Sequence, residues 1–93
     1  MAEEIKNFRQ TERIVKGFAN HRRIQMMELL AKQPELSVDE ITRELNINYK
    51  TAAEHIRRLA IAGLVMKRSD GVSVRHKLTP RGQTILVFLR KLE

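Results

Sequence analysis

Along most of the chain apolar residues recur at steps of three and four, and in one short region at steps of two; that change of period marks out the elements. In "EIKNFRQTERIVKGFA", Ile5, Phe8, Val15 and Phe18 stand near helical spacing with charge between them, which predicts a first helix weakened near its end by Gly17. "NHRRIQMMELLAKQ" predicts a second helix: Asn20 is placed as its N-cap, Ile24, Met27, Leu30 and Ala31 form its apolar set, and Pro34 ends it. In "SVDEITRELN", Ser37 and Glu40 have capping-box spacing, so each side chain can satisfy a free amide of the first turn. Val38, Ile41 and Leu45 are then the buried edge of a third helix. Only Asn46 to Asn48 separate it from the next helical stretch, so the two must turn sharply against each other, a helix-turn-helix signature.

The next helix follows the N-cap Asn48. At about 100° per residue, Ala52, Ile56, Leu59 and Gly63 fall on one narrow stripe that faces the core. Lys50, Glu54, Arg57 and Ile61 lie opposite, with Thr51 and Arg58 on one flank and Ala53 on the other. A helix that is neutral on one side and basic on the other, with small Ala53 and Thr51 permitting close approach, fits the major groove of duplex DNA, about 12 Å wide. Ile61 is the misfit on this face and is expected at the helix's far end, away from the groove.

Past Gly63 the period falls to two. Leu64, Val65 and Met66 begin a strand, Ser69 to Val72 contain an Asp-Gly turn, and Val72, Val74, His76 and Leu78 alternate with Ser73, Arg75 and Lys77. The hairpin over 64–78 is expected to pack one face on the helices while Arg75 and Lys77, with Lys67 or Arg68 from the partner strand, point toward phosphate. Such alternation is also ordinary strand solvation, but beside a basic helix it reads as a basic wing. Thr79 and Pro80 then open a last helix, on which Ile85, Phe88, Leu89 and Leu92 form an apolar stripe. That stripe either closes the monomer's core or pairs with a second subunit. The second apolar edge of the first helix and the gain a small domain makes by sharing one favour pairing, so a homodimer through the first and last helices is expected.

Composition narrows the function. The 93 residues, 42% apolar, suit one domain over 1–93. With no Cys there is neither a disulfide framework nor a thiolate metal site. The amino terminus has no apolar signal core and no run approaches the roughly 20 apolar residues of a membrane span, so a soluble, cytoplasmic protein without a membrane partner is expected. The net charge of +7 is unevenly placed: residues 1–49 balance eight bases against eight acids, whereas residues 50–81 hold eight bases and two acids. A field concentrated in this way attracts a polyanion. No nucleophile and base stand at suggestive spacing and there is no Gly-rich phosphate loop, so no enzyme is expected. His21, His55 and His76 sit on three different elements without ligand spacing, so neither a metal nor another cofactor is expected, and His55 reads as a partly buried flank of the basic helix.

The order of four helices, a hairpin and a fifth helix is mainly α, and over about Asn20 to Leu86 it resembles the winged helix-turn-helix regulators of the ArsR type. "NHRRIQMMELLA" is similar to that family's opening D-P-T-R-x-x-I-L-x-x-L, with His21 where proline is usual. "LSVDEITRELNINYKTAAEHIRRLAIAGLV" resembles its L-S-V-x-E-L-A-x-x-L-x-I-S-x-x-T-V-S-x-H-L-x-x-L-x-x-A-G-L-V core, and "HKLTPRGQTIL" its L-T-x-x-G-x-x-L ending. The resemblance implies that Tyr49, Lys50, Thr51, Ala53, Glu54 and Arg57 meet base edges, with a dimeric, operator-binding habit. Members that sense metals commonly carry a Cys pair in the recognition helix or a carboxylate and histidine set in the last helix, and this chain has neither. The expectation is a sequence-specific double-stranded DNA-binding transcriptional regulator, taken as a repressor, whose helix 49–62 reads the major groove. Arg58 on that helix and Lys67, Arg68, Arg75 and Lys77 on the wing would hold phosphates. The rival is a winged-helix module that docks on an acidic protein or coats nucleic acid without reading it.

Overall fold

A computed structural model describes residues 7–93; Ile5, expected in the first helix, lies outside the described residues. The elements run α1 Phe8–Phe18, α2 His21–Lys32, α3 Val38–Leu45, α4 Tyr49–Ile61, β1 Val65–Ser69, β2 Val74–Leu78 and α5 Pro80–Arg90. Each helix starts on a side-chain cap. Asn7, Asn20 and Asn48 accept from amides of the following turn, Ser37 and Glu40 complete their capping box, and Thr79 accepts from the Gly82 amide.

The turn between α3 and α4 is made by Asn46, whose φ of 54° reverses the chain in a left-handed conformation that asparagine tolerates. At the other end of α4, Gly63 takes φ 76°, the Leu64 amide donates to the Leu59 carbonyl and the Gly63 amide to that of Ala60. This is the double-bonded helix stop that glycine favours, and buried Leu59 and Leu64 supply its hydrophobic contact.

The core joins Met26, Met27 and Leu30 of α2 to Ile41, Ala52, Ile56, Leu59, Leu64, Leu78 and Leu86. Two expected faces are turned. On α2, Met26 is fully buried while Ile24 is half-buried and Ala31 exposed. The reason is that α2 packs at once on α3, α4, α5 and β2, which centres its buried arc on Met26 to Leu30. On α5, Leu86 is the deepest residue, Ile85 and Leu89 are half-buried, and Phe88 and Leu92 are exposed.

Gly17 has a packing role that its helix propensity does not reveal. A Cβ there would collide with the Cβ of Ala62, so its bare Cα lets α1 cross closely over α4. The two strands pair antiparallel from Val65 opposite Leu78 to Ser69 opposite Val74. Val72 is 96% exposed in the turn and is no part of the strand expected to contain it. Leu36 adds a single bridge on the free edge of β2, where the His76 amide and the buried His76 Nδ1 both reach the Leu36 carbonyl, at 2.8 and 2.9 Å. Since that carbonyl can only accept, Nδ1 carries the proton.

Candidate nucleic-acid interface

Ala52, Ile56 and Leu59 bury one face of α4, which turns Tyr49, Lys50, Thr51, Arg57 and Arg58 to solvent, with Ala53 and Glu54 half-exposed between them. Tyr49, Lys50, Ala53, Glu54 and Arg57 line one open depression of about 530 Å³. Ile61, the expected misfit, is 68% exposed on the last residue of the helix.

The cations on this face are not all free. Glu54 accepts from Arg57 Nε and Nη2 at 3.0 and 2.9 Å and from Arg58 Nε at 2.9 Å. These bonds, Arg57's first, hold the Glu54 carboxyl down to about 2, so it is ionised throughout the working range of pH. Lys50 has no carboxylate among the described residues within ion-pair reach.

The wing shows the same division. The register puts Arg68, Arg75 and Lys77 on one face and Lys67 on the other, beside His76. Arg68 donates twice to Glu35 Oε1, at 2.7 and 3.1 Å. Arg75 donates to Asp70 Oδ2 at 3.0 Å and to Glu40 Oε1 and the Glu35 carbonyl, both at 3.2 Å. Asp70 also accepts from the Val72 and Ser73 amides, and these bonds followed by Arg75 keep its carboxyl well below the usual range. Thus Lys67 and Lys77 are the wing cations without a carboxylate partner among the described residues. Counting charge along the chain overlooked this, because Glu35 and Glu40 belong to the neutral half and return to the wing only in the fold.

Sequence reasoning also missed Arg23 as a tie. Its Nη1 donates to the carbonyls of Lys16 and Gly17 at 3.0 and 3.1 Å and its Nε to His55 Nδ1 at 3.1 Å, joining α1, α2 and α4. Burial first, and Arg23 second, push the His55 pKa down. The available signal was the arginine position of the opening motif, which carries no hint of its partners. Among the described residues no three His, Cys, Asp or Glu side chains converge as metal ligands, and no helix is long and apolar enough to cross a membrane.

A helix reached through a tight turn from its predecessor, exposed along its basic face and flanked by a two-stranded hairpin, defines a winged helix-turn-helix domain, an architecture of transcription regulators rather than of enzymes. The family model described as "Bacterial regulatory protein, arsR family" matches residues 20–67, a little over half of the chain. The chain belongs to that family. It is 39% identical over 62 residues to the HTH-type transcriptional regulator Rv0324 of Mycobacterium tuberculosis, covering 67% of this chain and 27% of the relative. To the arsenic resistance transcriptional regulator ArsR1 of Pseudomonas putida it is 33% identical over 67 residues, covering 72% of this chain and 52% of that protein. The chain therefore spans about half or less of the length of these curated relatives. Among solved structures, the homodimeric winged helix-turn-helix DNA-binding domain Mb0332 of Mycobacterium bovis, a possible ArsR-family regulator, superposes with a TM-score of 0.80 at 28% identity, covering 99% of this chain and 88% of that one.

Proposed function

We propose that this protein is a sequence-specific double-stranded DNA-binding repressor that reads the major groove with α4 and grips phosphates with the wing. The observation that carries the reading is the two-sidedness of α4: Ala52, Ile56 and Leu59 are at most 1% exposed, while Lys50, Thr51, Arg57 and Arg58 project together from the opposite side. On this reading Lys50, Lys67 and Lys77 neutralise phosphates and release counterions, which gives salt-sensitive affinity for any sequence. Arg57 offers a fork that fits the O6 and N7 of guanine, Glu54 accepts from a cytosine amino group, and Tyr49, Thr51 and Ala53 set how closely the helix approaches. Two copies, paired through α1 and α5, would span half-sites about one helical turn apart and exclude polymerase. Support for that pairing comes from Phe8 and Val15 on α1 and Phe88 on α5, which are 76%, 46% and 54% exposed in the single chain.

The test is selection of bound fragments from random duplex DNA at two salt concentrations, followed by anisotropy titrations of two variants. A palindromic motif is expected. Arg57→Ala should relax the base preference, whereas Lys77→Ala should weaken all sequences alike and lower the salt slope by about one. Recovery without a motif would assign a coating protein, and no recovery a docking module; either overturns the proposal.

A further inference from the structure

A cleft of about 230 Å³ lies between α1 and the second half of α4, sharing Arg57 and Arg58 with the exposed α4 face and lying apart from the wing. Its walls carry five cations, Arg13 and Lys16 of α1, Arg23 of α2, and Arg57 and Arg58 of α4, over an apolar floor of Gly17, Ala62 and, at the end of α4 away from the groove, Ile61. The floor exists because glycine at position 17 lets the two helices touch. Arg23 fixes the back of the cleft by binding the last carbonyls of α1 and the ring of His55.

Among the described residues no carboxylate lines the cleft. Lys16 and Arg58 are each paired on its outside, with Glu12 and Glu54, through exposed contacts of the kind that are exchanged at little cost. Arg13 has no carboxylate partner among the described residues. The Arg23 guanidinium is pushed below its ordinary value by burial and next by Arg58, so these two cations repel each other and an entering anion would relieve that repulsion.

Two arrangements indicate which anion. Arg57 lines both this cleft and the depression at the front of α4, so the cleft continues the face assigned to DNA. Around α1, at about 100° per residue, Arg9, Arg13 and Lys16 form one edge, Gly17 and Ile14 the edge against the core, and Phe8 and Val15 a third. A partner subunit covering the Phe8 and Val15 edge therefore leaves the cationic edge open.

We propose that the cleft is a further phosphate site, in which Arg13 and Lys16 of α1, with Arg58 of α4, hold a backbone phosphodiester of the duplex bound by α4. This inference rests on the DNA-binding reading above and extends the contact surface onto a helix otherwise assigned to pairing. Arg23 acts as a positioning residue.

The experiment measures duplex affinity of the full chain against salt for the wild type, Arg13→Ala, Lys16→Ala and the double variant, with Lys32→Ala as a control for loss of charge elsewhere on the exposed surface. All the replaced side chains are exposed, and a thermal melt confirms that each variant is folded. The double variant should lower the salt slope by about one and cost about eight-fold in affinity at roughly 0.1 M salt, with each single substitution showing part of that loss, without changing sequence preference. Lys32→Ala should leave the slope unchanged. Phosphate ethylation that interferes with the wild type at a flanking position should not interfere with the double variant. An unchanged slope in the double variant overturns the proposal. So does saturable binding of inorganic phosphate in the cleft together with unaltered DNA affinity, which would assign the site to a free anion. If the wild type itself shows no salt-dependent duplex binding, the broader DNA-binding reading fails instead.

Discussion

Replacing Glu54 with Gln tests how α4 uses its charges. In the folded chain one carboxylate receives three hydrogen bonds from Arg57 and Arg58, so two guanidinium charges present a net charge of one to anything approaching the helix. The Glu54 pKa of about 2 means that acidification within the stable range cannot release them, so the substitution is the direct means of doing so. Glutamine keeps the shape of the side chain and removes the charge. One further phosphate contact adds about 0.9 to the salt slope, and at roughly 0.1 M salt that corresponds to about eight-fold tighter binding to any duplex. Preference for the selected sequence should fall, because the freed arginines gain on all sequences while the acceptor matched to cytosine is lost. Fluorescence anisotropy on a selected and a scrambled duplex, from roughly 50 to 200 mM salt, measures both quantities. Weaker binding to both duplexes with an unchanged slope would refute the reasoning, since it would mean that the carboxylate holds the arginines in their working positions rather than masking them.

Gly17→Ala should lower stability by about 1–2 kcal/mol, because overpacking against Ala62 outweighs a helix-propensity gain reduced by the position's place in the last turn; a urea midpoint that stays or rises would contradict the close crossing. His55 and His76 have pKa values pushed below the ordinary 6.5, chiefly by burial, so the unfolded chain binds more protons than the folded one and stability present above 6.5 declines as the pH falls toward the depressed values. Denaturation midpoints between about pH 7.5 and 5, above the 4.5 where carboxylates such as Glu28 ordinarily titrate, should show that decline; a level midpoint removes the linkage. Phe88→Glu and Val15→Glu should each shift the sedimenting species to the monomer mass at micromolar concentration, and an unaltered mass would mean that these apolar edges do not form the subunit contact.

The elements were legible because their signals are local. Capping side chains and apolar spacing act within one or two turns, so Ser37 with Glu40, Asn48, and Thr79 with Pro80 announced their helices, and the burial of Ala52, Ile56 and Leu59 followed from spacing alone. Features that depend on how elements meet were not legible. Gly17 reads as a helix weakness until α4 is laid across it, and Arg23 is one more basic residue until Lys16, Gly17 and His55 surround it. The α2 face was misjudged for the same reason: a helix packed on several sides has a wider buried arc than one amphipathic stripe describes. Of the eleven candidate residues, eight are exposed and Ala53, Glu54 and Arg75 are half-buried, and the acids that claim four of their arginines lie up to 35 residues away in sequence or one turn along the same helix.

Those pairings sort the cations by residue type. Among the cations of α4 and the wing, Lys50, Lys67 and Lys77 have no carboxylate partner among the described residues, whereas Arg57, Arg58, Arg68 and Arg75 each do; Arg81, beyond the wing on α5, donates to the Ala62 carbonyl instead. Lysine is a strongly hydrated point charge on a flexible stem, suited to phosphates at variable positions, while arginine presents a planar fork whose usefulness depends on orientation. The fork of Arg57 already lies against two acceptor oxygens of Glu54. Exchange of that carboxylate for the O6 and N7 of a guanine conserves the two-bond pattern, and the same fork finds no such pair on other base edges. On the proposed reading the lysines therefore set affinity for any duplex, and Arg57 leaves its partner only where the sequence offers an equivalent pair of acceptors. The intramolecular clasp thus lowers affinity for the wrong sequence more than for the right one, which is how a small basic domain can bind DNA without binding all of it equally.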